Sequence, residues 1–347
     1  MKMDKLTGFQ IGVNLGGWLS QYKNYDHEHF KSFIEETDIQ QIADWGIDHV
    51  RLPFDYPILE DDSKPFTYKD SGFNYLDQCL TWCQNHGLDL VLDLHRAPGY
   101  DFNYPDATTL FTDPGIQDRF EALWQRLAEH YLGRDQPRLI FELLNEIVLP
   151  TSDPWNQLAH RVCKTIRAID PERWIMIGGN YYNAVSQLKE IKLVDDPRVI
   201  YTFHFYEPLP FTHQKAYWVP GLQAFDKELE YPGETIGLGD FLSKNPPYNQ
   251  RLEKYVDIKM DRQYLLEELR PAINFIEETG KPLYCGEFGV IDQAPMDSTL
   301  NWYRDFIGML KEWNIGRACW TYKQLDFGLV DQDSQVINPE LIDIISA

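Results

Sequence analysis

Basic residues are scarce in this 347-residue chain. Lys and Arg number 32 against 54 Asp and Glu, a formal net charge of −22. A surface of that sign repels polyphosphates and anionic headgroups, so neither nucleic acid nor a membrane surface is an expected partner. No run of 18 apolar residues occurs, which argues against a membrane-spanning helix. The N-terminal stretch from Met1 to Gly8 carries no apolar leader, and the expectation is a cytoplasmic protein unless a leader was trimmed. Cysteines are few, at positions 79, 83, 163, 285 and 319. An odd number without metal-type spacing reads as reduced core thiols. The first apolar run is followed by Gly16-Gly17-Trp18, which does not fit the Gly-rich phosphate turn of a dinucleotide-binding open sheet. A His-x-His pair is missing from the same place. That disfavours a metal-dependent barrel hydrolase assembled from Asp93, His95, Glu146 and His204. The acidic stretch 326–333 lacks the spacing of a calcium loop. No cofactor and no metal is expected, and nothing in the sequence bears on oligomeric state.

What is present is a large apolar and aromatic content. Hydrophobic residues make up 43% and aromatics 14%, with 10 Trp and 20 Tyr. Such a chain can fill a large core, and its aromatic rings suit either packing or the stacking of sugar faces. Eight apolar, β-rich runs alternate with helical patterns: 10–14, 48–52, 88–94, 139–144, 174–177, 199–205, 282–286 and 317–321. Continuous Val, Ile and Leu stretches are the mark of strands buried on both faces. Between them, Phe120, Leu123, Trp124, Leu127 and Tyr131 recur at helical spacing within 116–132, and 156–169 reads the same way. Eight strand–helix steps predict an α/β fold, a single (β/α)8 TIM barrel spanning 1–347, with a doubly wound sheet as runner-up. The spacing breaks once, between the sixth and seventh runs. Residues 208–260, dense in Pro, Tyr, Trp, Phe and Gly, are expected to form an inserted subdomain between the sixth strand and a following helix at 261–278. It starts at a strand C-terminus, so it flanks the cleft as a wall or merely decorates it. Tyr217 and Trp218 suit stacking and favour the wall.

Strand C-termini of such a barrel converge on one face, where catalytic residues gather. Two glutamates end strand-like runs there: Glu146 in Leu144-Asn145-Glu146 and Glu287 in Cys285-Gly286-Glu287-Phe288-Gly289. A converging carboxylate pair is the equipment for breaking a glycosidic bond. Alternation along the strands then selects an inward set of Arg51, His95, Glu146, His204, Tyr206, Glu287 and Trp320. On the same parity Cys285 faces inward beside Glu287, as barrel core. Seven polar or aromatic groups at equivalent heights make a poor core, because buried polar groups cost free energy unless paired. Arg51 is expected to steady the charge of Glu287, and Tyr206 to donate to it. Glu142, one layer below Glu146, is read as a structural ion-pair partner of Arg51.

The strings Asn14-Leu-Gly-Gly-Trp18, Arg51-Leu-Pro53, Asp93-Leu-His95-Arg-Ala-Pro98-Gly99, Leu144-Asn145-Glu146, His204-Phe-Tyr206, Gly286-Glu287-Phe288-Gly289 and Trp320 occur in that order. Together they resemble glycoside hydrolase family 5, across nearly the whole chain. Asn180-Tyr-Tyr-Asn183 and Phe211-Thr-His-Gln-Lys215 bring it nearest to the leaderless clostridial endoglucanases of that family. The resemblance implies a retaining double displacement, with Glu146 as acid/base and Glu287 as nucleophile. It also implies that Asn145 bonds the sugar 2-hydroxyl, that His95 and His204 bind hydroxyls and order the carboxylates, and that Trp320 floors the non-reducing side. The implied substrate is a soluble β-glucan, poly- or oligosaccharide, cut internally at β-1,4 bonds in cellulose-type or mixed-linkage chains. β-Mannan and β-1,3-glucan are the alternatives, because specificity rests on loops that the sequence does not shape. A non-catalytic carbohydrate-binding barrel is the other class, and the paired glutamates argue against it.

Overall fold

The computed structural model describes residues 8–134 and 138–347. The N-terminal stretch from Met1 to Thr7, on which the expectation about a leader rests, lies outside the described residues. Among the described residues ten strands follow in chain order: β1 Ile11–Asn14, β2 His49–Asp55, β3 Asp89–Arg96, β4 Leu139–Glu142, β5 Trp174–Gly178, β6 Val199–Phe205, β7 Gly233–Glu234, β8 Lys259–Met260, β9 Leu283–Phe288 and β10 Gly316–Cys319. Eight of them close into a parallel barrel in the cyclic order β1, β10, β9, β6, β5, β4, β3, β2. The other two, β7 and β8, pair antiparallel outside it. The barrel expected from the eight apolar runs is therefore the fold. Burial on both faces explains why those runs are continuous. No helix among the described residues is long and apolar enough to cross a membrane.

The connecting helices bury one stripe each. Asp113 caps the helix Pro114–Tyr131 by accepting from the Gly115 N–H, with Pro114 at its first position. Its buried face carries Phe120, Leu123, Trp124, Leu127 and Tyr131. Asp261 caps the helix Arg262–Thr279, and Gly280 ends it in the left-handed conformation at φ 64°.

Inside the barrel the lower layer is apolar, formed by Phe9, Val91, Ile140, Met176, Ile200, Tyr284 and Ala318. Two steps further along β3, β4 and β6 stand the polar residues Asp93, Glu142 and Thr202, with Arg51 of β2 beside them, all fully buried. Two register shifts occur, between Phe54 and Asp55 on β2 against β3, and between Phe203 and His204 on β6 against β9. Both lie near the C-terminal mouth, where bulges re-aim side chains.

The second shift corrects one expectation. Thr202 pairs with Tyr284 and Phe203 with Cys285, but His204 pairs with Glu287. Cys285 therefore faces outward with Phe203, into the layer between strands and helices. Tyr284 takes the inward position, its hydroxyl 2.6 Å from His49 Nε2. The extra residue is Gly286, where a Cβ would stand 2.9 Å from Thr202 Oγ1 and 3.2 Å from His204 Nε2.

Between β6 and the helix Arg262–Thr279 the chain folds into short helices at Leu209–Thr212, Pro220–Phe225, Leu238–Lys244 and Asn249–Leu252, together with the β7–β8 pair. Phe211, Leu222, Tyr231, Leu238, Leu252 and Tyr255 are buried there. Hydrogen bonds fix this segment to the barrel. Trp302 Nε1 donates to Glu207 O (2.9 Å), and the Tyr231 hydroxyl donates to Asp305 Oδ2 (2.8 Å).

Candidate active site

A single fully buried guanidinium organises the mouth of the barrel. Arg51 Nε donates to Glu142 Oε2 (2.7 Å) and Nη2 to Glu142 Oε1 (3.1 Å). Nη1 donates to Asn14 Oδ1 (2.8 Å) and to Glu287 Oε1 (2.9 Å). Nη2 also reaches Asn145 Oδ1 (2.8 Å) and Asp93 Oδ2 (3.0 Å). Five strand ends thus converge on one cation. Only the planar fork of arginine can serve so many acceptors at once. Three carboxylates share its charge. Burial pushes Asp93 and Glu142 each up to about 7, against the pull of Arg51.

Above this hub stand the two glutamates. Glu287 is held at both oxygens, by Arg51 at Oε1 and by the Tyr206 hydroxyl, which donates to Oε2 (3.0 Å). Glu146 Oε1 lies 2.9 Å from His204 Nδ1, and that nitrogen lies 3.6 Å from Glu287 Oε2. Their side chains keep 13% and 7% of their surface exposed, so both open onto the mouth. One donor atom from each of Glu146, His204 and Glu287 lies within 4.8 Å of the others. Burial raises both carboxyls. Arg51 and the Tyr206 hydrogen bond pull Glu287 back, whereas the charge of Glu287 drives Glu146 higher still. Both directions favour the proton on Glu146 over Glu287.

The histidines are neutral. Burial lowers His95 to about 4 and His204 well below its ordinary value, Arg51 adding to both effects. His95 Nδ1 lies 2.7 Å from Asp93 Oδ2, and its Nε2 lies 3.5 Å from Asn145 Nδ2. The His95 ring stacks on Trp320, with centroids 5.7 Å apart and planes 4° from parallel. Trp218 stands farther out, 40% exposed. It meets the site through His213 (6.0 Å) and Phe327 (6.3 Å), which both flank Tyr206.

Arg51, His95, Asn145, Glu146, His204, Tyr206, Glu287 and Trp320 thus lie at the barrel mouth in one chain of contacts, with Trp218 at one remove. Sequence reasoning gave no role to Asn14, whose Nδ2 donates to Gly286 O (3.0 Å) and whose Oδ1 braces Arg51. A polar residue closing the first strand was the available signal. Asp93 was weighed only as a metal ligand. It instead links Arg51 to His95.

Among the described residues, Glu146, His204 and Glu287 are the set that could hold a cation. The set fits one poorly. The Arg51 guanidinium already sits 2.9 Å from Glu287, and His204 Nδ1 is engaged by Glu146.

Known proteins resemble this chain over most of its length. A family model described as Cellulase (glycosyl hydrolase family 5) matches residues 8–326. Endoglucanase C of Acetivibrio thermocellus is 45% identical over 341 residues, covering 98% of this chain and 99% of its own. Cellodextrinase A of Ruminococcus flavefaciens is 36% identical, covering 91% of this chain and 86% of its own. Among solved structures, the endoglucanase Cel5A of Thermotoga maritima superposes with a TM-score of 0.78 at 25% identity, with 97% of each chain covered. That enzyme has been crystallised with cellobiose and with mannotriose.

Proposed function

The chain belongs to glycosyl hydrolase family 5 and is a glycoside hydrolase, and we propose that it is an endo-acting β-glucanase working with retention of configuration. Its substrate in this reading is a soluble β-glucan cut at internal β-1,4 bonds, in cellulose-type or mixed-linkage chains. The observation that carries the mechanism is the proximity of the two carboxyls, with oxygens of Glu146 and Glu287 within 4.8 Å. An inverting enzyme needs roughly 6.5–9.5 Å to admit a water between them, whereas a retaining one needs about 5–5.5 Å.

Glu287, ionised and held at both oxygens, attacks the anomeric carbon and forms a glycosyl ester. Glu146 protonates the departing oxygen and then, as carboxylate, takes a proton from the incoming water. His204 orients this acid. Its Nε2 is buried without a partner. An unpaired ring nitrogen is cheaper than an unpaired N–H, so the proton sits on Nδ1 and is donated to Glu146 Oε1. That leaves Oε2 of Glu146 to carry the catalytic proton. Asn145, braced by Arg51, presents its amide for the 2-hydroxyl, and Trp320, backed by His95, floors the sugar on the non-reducing side. Residues 208–260 serve as a wall of the cleft, with Trp218 at its edge.

The homologous endoglucanase C and cellodextrinase A support glucan as substrate. The mannotriose complex of the Thermotoga maritima enzyme makes glucomannan the second reading. Viscosity loss and product release on barley mixed-linkage glucan, carboxymethylcellulose, glucomannan and laminarin test the assignment. Rapid thinning of barley glucan, abolished in Glu287→Gln, is the expected result. Preference for glucomannan moves the substrate and keeps the mechanism. Activity surviving in the variant removes the nucleophile. A strong chelator leaves the activity unchanged if the carboxyl pair acts without a metal.

A further inference from the structure

Three consecutive residues without the freedom of glycine adopt left-handed backbone: Tyr181 (φ 53°), Tyr182 (φ 59°) and Asn183 (φ 54°). For two bulky aromatic residues this is costly, and such turns persist only where the surroundings over-determine them. Here they do. The Asn180 side chain accepts from the Tyr181 N–H (2.7 Å) and the Leu149 N–H (2.9 Å) and donates to Leu149 O (2.9 Å). The Tyr182 N–H donates to Ile147 O (3.0 Å). Asn183 Oδ1 accepts from the Gly179 N–H (2.8 Å). The turn is thus pinned to 147–149, the segment that directly follows Glu146.

What the turn presents is aromatic. Tyr181 is 62% exposed and packs edge-on against the half-buried Tyr182, with centroids 5.9 Å apart. No core needs a ring held out in that way. Facing it from the inserted segment is Arg251, exposed, its guanidinium 6.0 Å from the Tyr182 ring. Burial dominates the environments of Glu146, Tyr182 and His213, yet the charge of Arg251 is felt at all three. Arg251 therefore overhangs the mouth where β4, β5 and β6 end. Trp320 follows β10, and the strand diametrically across the ring from β10 is β4, with β5 beside it. A sugar chain that lies on Trp320 and passes the carboxyl pair leaves the mouth beside this turn.

We propose that Tyr181, Tyr182 and Arg251 form a binding subsite for a β-linked glucosyl ring on the leaving-group side of the cut. The exposed ring of Tyr181 stacks on the apolar face of the sugar, and the Arg251 fork holds its hydroxyls from the opposite wall. This assignment rests on the glucanase reading above and adds to it a function for the inserted segment.

The test compares two substrates in the full-length protein. Cellopentaose needs sugar on both sides of the cut. A dinitrophenyl β-cellobioside fills only the non-reducing side and carries a leaving group that needs no binding. For Tyr181→Ala and Arg251→Ala, kcat/KM on cellopentaose is expected to fall roughly tenfold to a hundredfold, the range of one lost pocket contact. The aryl cellobioside rate is expected to change less than about twofold, since neither residue faces its sugars. Tyr181→Phe, which keeps the ring, is expected to retain the cellopentaose rate. Equal losses on both substrates, or no loss on cellopentaose, would overturn the subsite. Wild-type protein inert towards both substrates would instead remove the glucanase reading itself, and the subsite with it.

Discussion

Arg51 carries more of the site than any other residue, because it neutralises what the barrel otherwise could not bury. Without it, Asp93 and Glu142 would sit fully buried with no cation. Arg51→Met is therefore expected to cost about 3–5 kcal/mol in urea unfolding, the usual penalty for orphaning a buried charge. The loss depends on pH. Asp93 and Glu142 already titrate at about 7 in the folded protein with Arg51 present, burial being the main cause. Its removal raises them further. A carboxyl whose folded pKa is raised contributes stability at low pH and loses it as pH rises through that value. The variant is expected to be penalised more at pH 8 than at pH 5, and a penalty independent of pH would contradict the shared-charge picture. Tyr206→Phe supplies a second test. Burial raises Glu287, and the Tyr206 hydroxyl is one of the groups that hold it down. Loss of that hydroxyl should move the acid limb of kcat/KM to higher pH, leaving the alkaline limb, set by Glu146, nearly in place.

At the scale of elements, the barrel mouth depends on where strands depart from ideal pairing. The bulge at Gly286 turns Glu287 inward. Gly286→Ala would drive a Cβ to 2.9 Å from Thr202 Oγ1 and 3.2 Å from His204 Nε2. Overpacking of that kind costs about 1–3 kcal/mol. A shift of His204 or Glu287 by a fraction of an ångström is expected to lower kcat by about 10²-fold while the folded state survives. Circular dichroism together with kcat checks both halves. The same irregularities mark the limit of what the sequence revealed. Strict alternation assigned Thr202, His204 and Tyr206 to one face, as β6 requires, because that strand stays regular. It sent Cys285 to the interior because an inserted residue in a strand leaves no mark on apolar periodicity. It also separated Asn145 from Glu146. Beyond Glu142 the backbone bonds first to β5, through Leu143 N–H to Met176 O, and then to β3, through Asn145 N–H to Leu94 O. Both side chains can then serve the site. Eight strands and two glutamates were legible because burial and strand-end position write themselves into composition. Arg251 and the two tyrosines were not, because their meeting depends on how an inserted segment packs across the mouth.

The whole molecule sets the terms on which substrate arrives. A net charge of −22 creates a repulsive field for anionic polymers, screened within a Debye length of about 10 Å at 0.1 M salt. KM for carboxymethylcellulose is therefore expected to fall as salt is raised, whereas KM for neutral barley glucan stays level. Parallel behaviour of the two substrates would show that the charge plays no part in encounter. The barrel supplies a ring of strand ends, the segment after β6 is proposed to supply the outer wall, and Arg51 ties five of those ends into one electrostatic unit. The claim on which all of this converges is a covalent intermediate on Glu287. Its most direct test is to incubate the protein with a 2-fluoro-cellobioside bearing an activated leaving group, digest it, and locate the added mass by tandem mass spectrometry. The account predicts stoichiometric labelling on Glu287 with loss of activity, and no labelling in Glu287→Gln. Labelling on Glu146, or turnover of the fluoro sugar without any ester, would contradict it.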